Sequence, residues 1–116
     1  MTDTYCKLFI SSELPHETLS NIIAEAVSGC QVRIWSISSP ALDIYINLND
    51  EYDANKTCGE EDGFLYFKFF LDIEPTPGTD IQRYIKAIAH LMQALHQNGM
   101  QSVAACDFED RLPKYW

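Results

Sequence analysis

The order of periodicities along this chain predicts an α+β fold of the ferredoxin-like, split β-α-β kind: an antiparallel sheet of four or five strands with two helices on one face. Three observations carry the prediction. Two stretches repeat apolar residues at helical spacing, each is flanked by strand-like runs, and one run is so rich in aromatics that it suits a pleated surface better than a helix. The 116 residues, 47% of them hydrophobic, suffice for one compact core, so residues 1–116 are read as a single domain.

Tyr5 to Ile10 opens as a strand, with Tyr5, Lys7 and Phe9 on one face and Cys6, Leu8 and Ile10 on the other. Apolar residues on both faces predict a central position. Pro15 suits the first turn of a helix, and Leu19, Ile22, Ile23, Ala26 and Val27 then form one stripe until Gly29 supplies a left-handed stop. Two β-rich runs follow, Gln31 to Ile37 and Ala41 to Leu48, separated by a bend at Ser38-Ser39-Pro40; they form a hairpin or one broken strand. In the second run Leu42, Ile44, Ile46 and Leu48 alternate with Asp43, Tyr45 and Asn47, the pattern of a half-buried antiparallel strand. Phe64 to Ile73 is expected to be the strongest strand, because Phe64, Tyr66, Phe67, Phe69 and Phe70 pack well on a sheet; Pro75, Pro77 and Gly78 end it. Thr79 and Gln82 fit a capping box for a second helix, along which Ile81, Tyr84, Ile85, Ile88, Leu91, Met92 and Leu95 form a long stripe closed by Asn98-Gly99. Met100 to Cys106 supplies a last strand before a polar tail.

Composition narrows the function. Seventeen acidic against 8 basic side chains give a net charge of -9, which repels nucleic-acid phosphates and anionic headgroups and attracts cationic partners. No direct nucleic-acid or membrane role is expected. Met1-Thr2-Asp3-Thr4 lacks the basic start and apolar run of a signal peptide, and no apolar stretch approaches the ~20 residues of a spanning helix, so a cytoplasmic location is expected. Cys6, Cys30, Cys58 and Cys106 include no C-x-x-C pair and are read as free thiols, with Cys6 and Cys106 as small buried hydrophobes and Cys58 in a polar stretch.

Two acidic segments are the candidate partner-binding residues. The first, within residues 49–62, holds Asp50, Glu51, Asp53, Glu60, Glu61 and Asp62 against the single base Lys56, in a connection long enough to be functional. It does not fit a calcium loop: counted from Asp50, the third, fifth and sixth positions are Tyr52, Ala54 and Asn55. The second segment, Asp107, Glu109 and Asp110, follows the last strand; no nucleophile elbow, phosphate loop or neighbouring histidine completes a catalytic site around it. His90 and His96 are six apart and lack the spacing of helical metal ligands, and His16 stands alone, so neither a metal nor another cofactor is expected. The terminal Trp116 is a candidate interface anchor.

Three stretches carry a resemblance. Asn49-Asp50-Glu51-Tyr52-Asp53, then Phe64-Leu65-Tyr66-Phe67 leading into Leu71-Asp72-Ile73-Glu74-Pro75, and finally Ala104-Ala105-Cys106-Asp107-Phe108-Glu109-Asp110-Arg111-Leu112-Pro113 resemble small bacterial immunity proteins of contact-dependent growth inhibition and related polymorphic toxin systems. The resemblance implies a non-enzymatic cytoplasmic protein, a monomer or weak homodimer, that binds a cognate toxin domain and blocks its active site. Where such a toxin is a nuclease with a basic cleft, an acidic inhibitor substitutes for the nucleic-acid backbone. The rival expectation is a ferredoxin-like small-molecule-binding or regulatory subunit acting as a homodimer. A metal-dependent enzyme using Asp107, Glu109 and Asp110 ranks last.

Overall fold

The computed structural model describes residues 4–33, 35–53 and 63–114. Among them β1 (Cys6–Ser11), β2 (Cys30–Arg33), β3 (Ser36–Ser38), β4 (Leu42–Leu48), β5 (Phe69–Pro75) and β6 (Gln101–Ala105) form one antiparallel sheet in the order β2-β3-β4-β5-β1-β6. Helix α1 (His16–Ala26) links β1 to β2, and α2 (Ile81–Gln97) links β5 to β6. The α+β reading therefore holds, with six strands instead of four or five. The additional strand arises where the run from Gln31 to Ile37 divides into β2 and β3, which pair as a hairpin with a register shift between Gln31 and Arg33.

Strand alternation sorts the side chains. Cys6, Leu8 and Ile10 of β1, Leu42, Ile44 and Ile46 of β4, and Phe69, Leu71 and Ile73 of β5 all enter one core with Leu19 and Ile23 of α1 and the stripe of α2. Both helices consequently cover the same sheet face. Tyr84, fully buried in that stripe, lies with its hydroxyl 2.5 Å from the Thr4 carbonyl and 3.0 Å from that of Ile73, which satisfies the polar end of a core aromatic. Ile81, counted in the stripe from its spacing, is instead 40% exposed at the helix start.

The two helix ends differ from the expected caps in instructive ways. Asp80, not Thr79, is the N-cap of α2, its carboxylate accepting from the Arg83 N–H at 2.9 Å. Its C-terminus closes as the dipeptide suggested, with Gly99 left-handed at φ 79° and the Met100 N–H returning to the Leu95 carbonyl at 2.9 Å. Helix α1 closes in a similar way, with the Gly29 N–H donating to the Ala24 carbonyl and the Ser28 N–H to the Glu25 carbonyl, and its left-handed residue is Ser28 at φ 55°. Gly29 serves another purpose: a Cβ there would stand 2.9 Å from both Ile37 Cγ2 and the Ser38 carbonyl, so its small size lets the helix end rest on β3.

The expected aromatic strand is shorter than its sequence suggested. Gly63–Tyr66 is a 3₁₀ turn, and β5 begins at Phe69. Phe64 and Phe67 are three residues apart, the period of a 3₁₀ turn, which brings both rings onto Phe9 and Val103 on the sheet face opposite the helices. Asn49 holds the turn in place, its side-chain amide donating to the carbonyls of Leu65 at 2.9 Å and Phe67 at 2.8 Å.

Candidate docking surface

Among the described residues, the helix-free face of the sheet is covered at one end by this aromatic turn and open at the other. Pairing of β4 with β5 sets Asp43 opposite Glu74, Tyr45 opposite Asp72 and Asn47 opposite Phe70, and because the alternate residues fill the core, all six face outward. Tyr45 is 59% exposed at the centre of this patch.

Each carboxylate of the patch is held by a donor. Asp72 accepts from the Asn47 amide at 2.9 Å and from the Tyr5 hydroxyl, Asp43 from the Ser38 hydroxyl at 3.1 Å, and Glu74 from the Thr4 hydroxyl at 3.2 Å. Partial burial, followed by the hydrogen bond to Asp72 and its charge, pushes the Tyr5 hydroxyl well above the ordinary phenol range and keeps it a donor. Lys7, across the ladder from Asp72, places its ammonium 4.3 Å from the Phe70 ring centroid. The result is a pre-oriented acidic surface around one exposed aromatic.

Asp43, Tyr45, Asp72 and Glu74 were not among the candidates drawn from sequence. Their signal is the period-2 alternation in each strand, but only the register of β4 against β5 reveals that the acids adjoin.

Asp50 and Glu51 are exposed in a turn built on Asn49, whose side-chain oxygen accepts from the Glu51 N–H at 3.1 Å. Asp53 is half-buried, its N–H donating to the Tyr66 carbonyl at 3.2 Å. Asp107, Glu109 and Asp110 are exposed around the 3₁₀ turn Glu109–Arg111, which is pinned by the buried Phe108 and Leu112, with Phe108 edge-on to Tyr84 at 5.8 Å. Glu109 also accepts from the Cys106 N–H at 3.4 Å. Leu48 lies in the row of Phe69 and Ile10, whereas Ala105 lies in the row of Lys7, so the two segments leave the sheet at opposite ends, and Glu109 and Asp110 lie beside Phe64 and Val103 at the covered end of the outer face. Glu60, Glu61, Asp62 and Trp116 lie outside the described residues.

His16 stacks on Trp35 with ring centroids 3.5 Å apart, and burial lowers its pKa against the opposing charge of Glu17. His90 and His96 are exposed on α2. Among the described residues no three His, Cys, Asp or Glu side chains are grouped as metal ligands, and no helix is long and apolar enough to cross a membrane. Compared with known proteins, the chain matches no protein family, no curated protein and no solved structure at a significant level.

Proposed function

We propose that this chain is an immunity-type inhibitor that binds a cognate toxin domain in the cytoplasm through its acidic surface, without catalytic activity of its own. The observation that carries the reading is the open sheet face, where exposed Tyr45 is ringed by the hydrogen-bonded carboxylates of Asp43, Asp72 and Glu74. An aromatic set among fixed charges is the composition of an interface hot spot, and fixed acids steer a cationic partner at little cost in side-chain entropy. Asp50 and Glu51, exposed just beyond the end of β4, add acidic charge next to that strand. The strand order β6-β1-β5-β4 supports the ferredoxin-like reading of the sheet's centre: α2 joins β5 to β6 around β1, while the chain leaving β1 through α1 first builds the edge strands β2 and β3 and then enters β4.

The test is co-expression with the toxin-like reading frame expected beside its gene. The expected outcome is a stable complex and protected cells; full toxicity in the presence of this protein overturns the proposal. Tyr45→Ala is expected to weaken the complex at least about tenfold. Asp43→Lys with Asp50→Lys and Glu51→Lys should slow association and remove its salt dependence.

One observation favours the second reading, a small-molecule-binding or regulatory subunit acting as a homodimer. A groove of about 400 Å³ is lined by the apolar residues Val27, Pro40 and Ala87 and by Arg83, Lys86 and His90. A stable homodimer in sedimentation, together with saturable binding of an anionic ligand lost in Arg83→Gln/Lys86→Gln, would favour it over the inhibitor reading.

A further inference from the structure

Two of the cysteines meet across the ladder of β1 and β6. Lys7 pairs with Ala105 and Leu8 with Ala104, so one further step sets Cys6 opposite Cys106. Opposed residues of an antiparallel pair have Cα atoms about 4.5–5.5 Å apart, a separation a disulfide spans without backbone movement. Cys106 packs against the core cluster that holds Cys6, and each thiol perturbs the other's titration.

Their surroundings differ. Cys6 is fully enclosed, whereas Cys106 is half-buried at the end of β6. The hydrogen bond from Cys6 lowers the Cys106 pKa, helped by a backbone hydrogen bond at Phe108 and opposed by burial and by the charges of Glu109 and Asp107. The same thiol contact and burial push Cys6 strongly upward. Cys106 is therefore the sulfur that a peroxide in solution can reach, with Cys6 enclosed behind it.

We propose that Cys6 and Cys106 form a dithiol modification site that closes to a disulfide when a hydroperoxide is present. The Cys106 thiolate attacks one peroxide oxygen; an S–O bond forms, the O–O bond breaks and, for hydrogen peroxide, hydroxide leaves. The Cys6 sulfur then attacks the resulting sulfenic acid; the S–S bond forms, the S–O bond breaks, and the Cys6 proton departs with the hydroxyl as water. Hydroxide takes up the proton that Cys106 first released, so two thiols are oxidised and one peroxide is reduced to two waters. The new bond joins β1 to β6 immediately before Asp107 and closes a loop of nearly the whole chain. The chemistry does not depend on the docking reading.

The test uses the full chain with Cys30→Ser and Cys58→Ser, treated with hydrogen peroxide at neutral pH. Intact mass should fall by the two thiol hydrogens, peptide mapping should find one Cys6–Cys106 link, dithiothreitol should reverse it, and Tm should rise on oxidation. In Cys6→Ala a sulfenic acid should persist on Cys106 and be captured by dimedone; in Cys106→Ala the folded protein should resist peroxide. Oxidation of the pair should run at least about tenfold faster folded than in urea. Direct conversion of Cys106 to sulfinic acid without a link, or equal folded and unfolded rates, overturns the proposal. If Cys6→Ala fails to fold by circular dichroism, the mapping and the two rates still decide.

Discussion

The two faces of the sheet are written by the same alternation in the same strands, yet one is a continuous core and the other is divided. On the helix side Leu8, Ile44, Leu71 and Ile73 are all enclosed, because α1 and α2 lay apolar stripes over the middle of that face. On the other side Phe9 is 5% exposed while Tyr45, two strands away, is 59% exposed. What separates them is cover: the 3₁₀ turn Gly63–Tyr66 and Phe67 reach Phe9, and nothing described reaches Tyr45. Burial of a strand residue thus depends on what the connections bring over it, and the uncovered end is where carboxylates collect.

The largest expected effect tests whether the covered end of the outer face belongs to the same cooperative core. Leu71→Ala, in the enclosed core, should destabilise by about 3–5 kcal/mol in urea unfolding. Phe9→Ala should cost less, about 2 kcal/mol, since the aromatic turn rests on one side of the sheet only and can settle into the space. Equal losses would break the comparison and make that turn as integral as the helices.

A smaller effect concerns the point where the helix layer touches the sheet edge. Gly29→Ala should cost about 1–3 kcal/mol, because its Cβ meets the backbone of Ser38 as well as Ile37. Its neighbour should behave in the opposite sense: Ser28→Gly relieves a left-handed non-glycine residue and should stabilise by roughly 0.5 kcal/mol. A reversal of the two signs would mean that Gly29, not Ser28, is the residue under backbone constraint.

That pair also marks the boundary of what the sequence made legible. The existence and order of the helices and of β1, β4, β5 and β6 follow from periodicity, because each buries a stripe whose spacing is local. The sequence points to Gly29 as the left-handed stop because glycine tolerates that conformation most cheaply, but crowding by Ile37, a residue of another element, claims it for close packing. Likewise Phe64 to Ile73 reads as one strand because β propensity counts aromatics without knowing which ring they meet; Phe64, in the 3₁₀ turn, and Phe67, just after it, pack instead on Phe9 and Val103, far off in sequence. The candidate surface suffers most from this limit. Contiguous acids such as Asp107, Glu109 and Asp110 are visible in a string of letters, whereas Asp43 and Asp72 become neighbours only through strand pairing, with Tyr45 between them.

The smallest expected effect asks whether the uncovered end of the outer face is organised or merely exposed. Tyr5 donates to Asp72 at the margin of that patch, and its pKa is raised above that of the unfolded chain, where a tyrosine titrates near 10. Folding therefore favours the neutral phenol. The stability this linkage contributes is fully present below about pH 10 and is lost as pH rises toward the folded-state pKa. In urea unfolding between about pH 8 and pH 11, the wild type should lose stability more steeply than Tyr5→Phe, which cannot ionise and gives up the hydrogen bond at every pH. The two curves should be farthest apart at the neutral end and converge as the phenol of the unfolded chain ionises. Parallel curves would mean that Asp72 is held by Asn47 alone, and that the acids around Tyr45 owe their orientation to the strands and not to the hydroxyls that meet them.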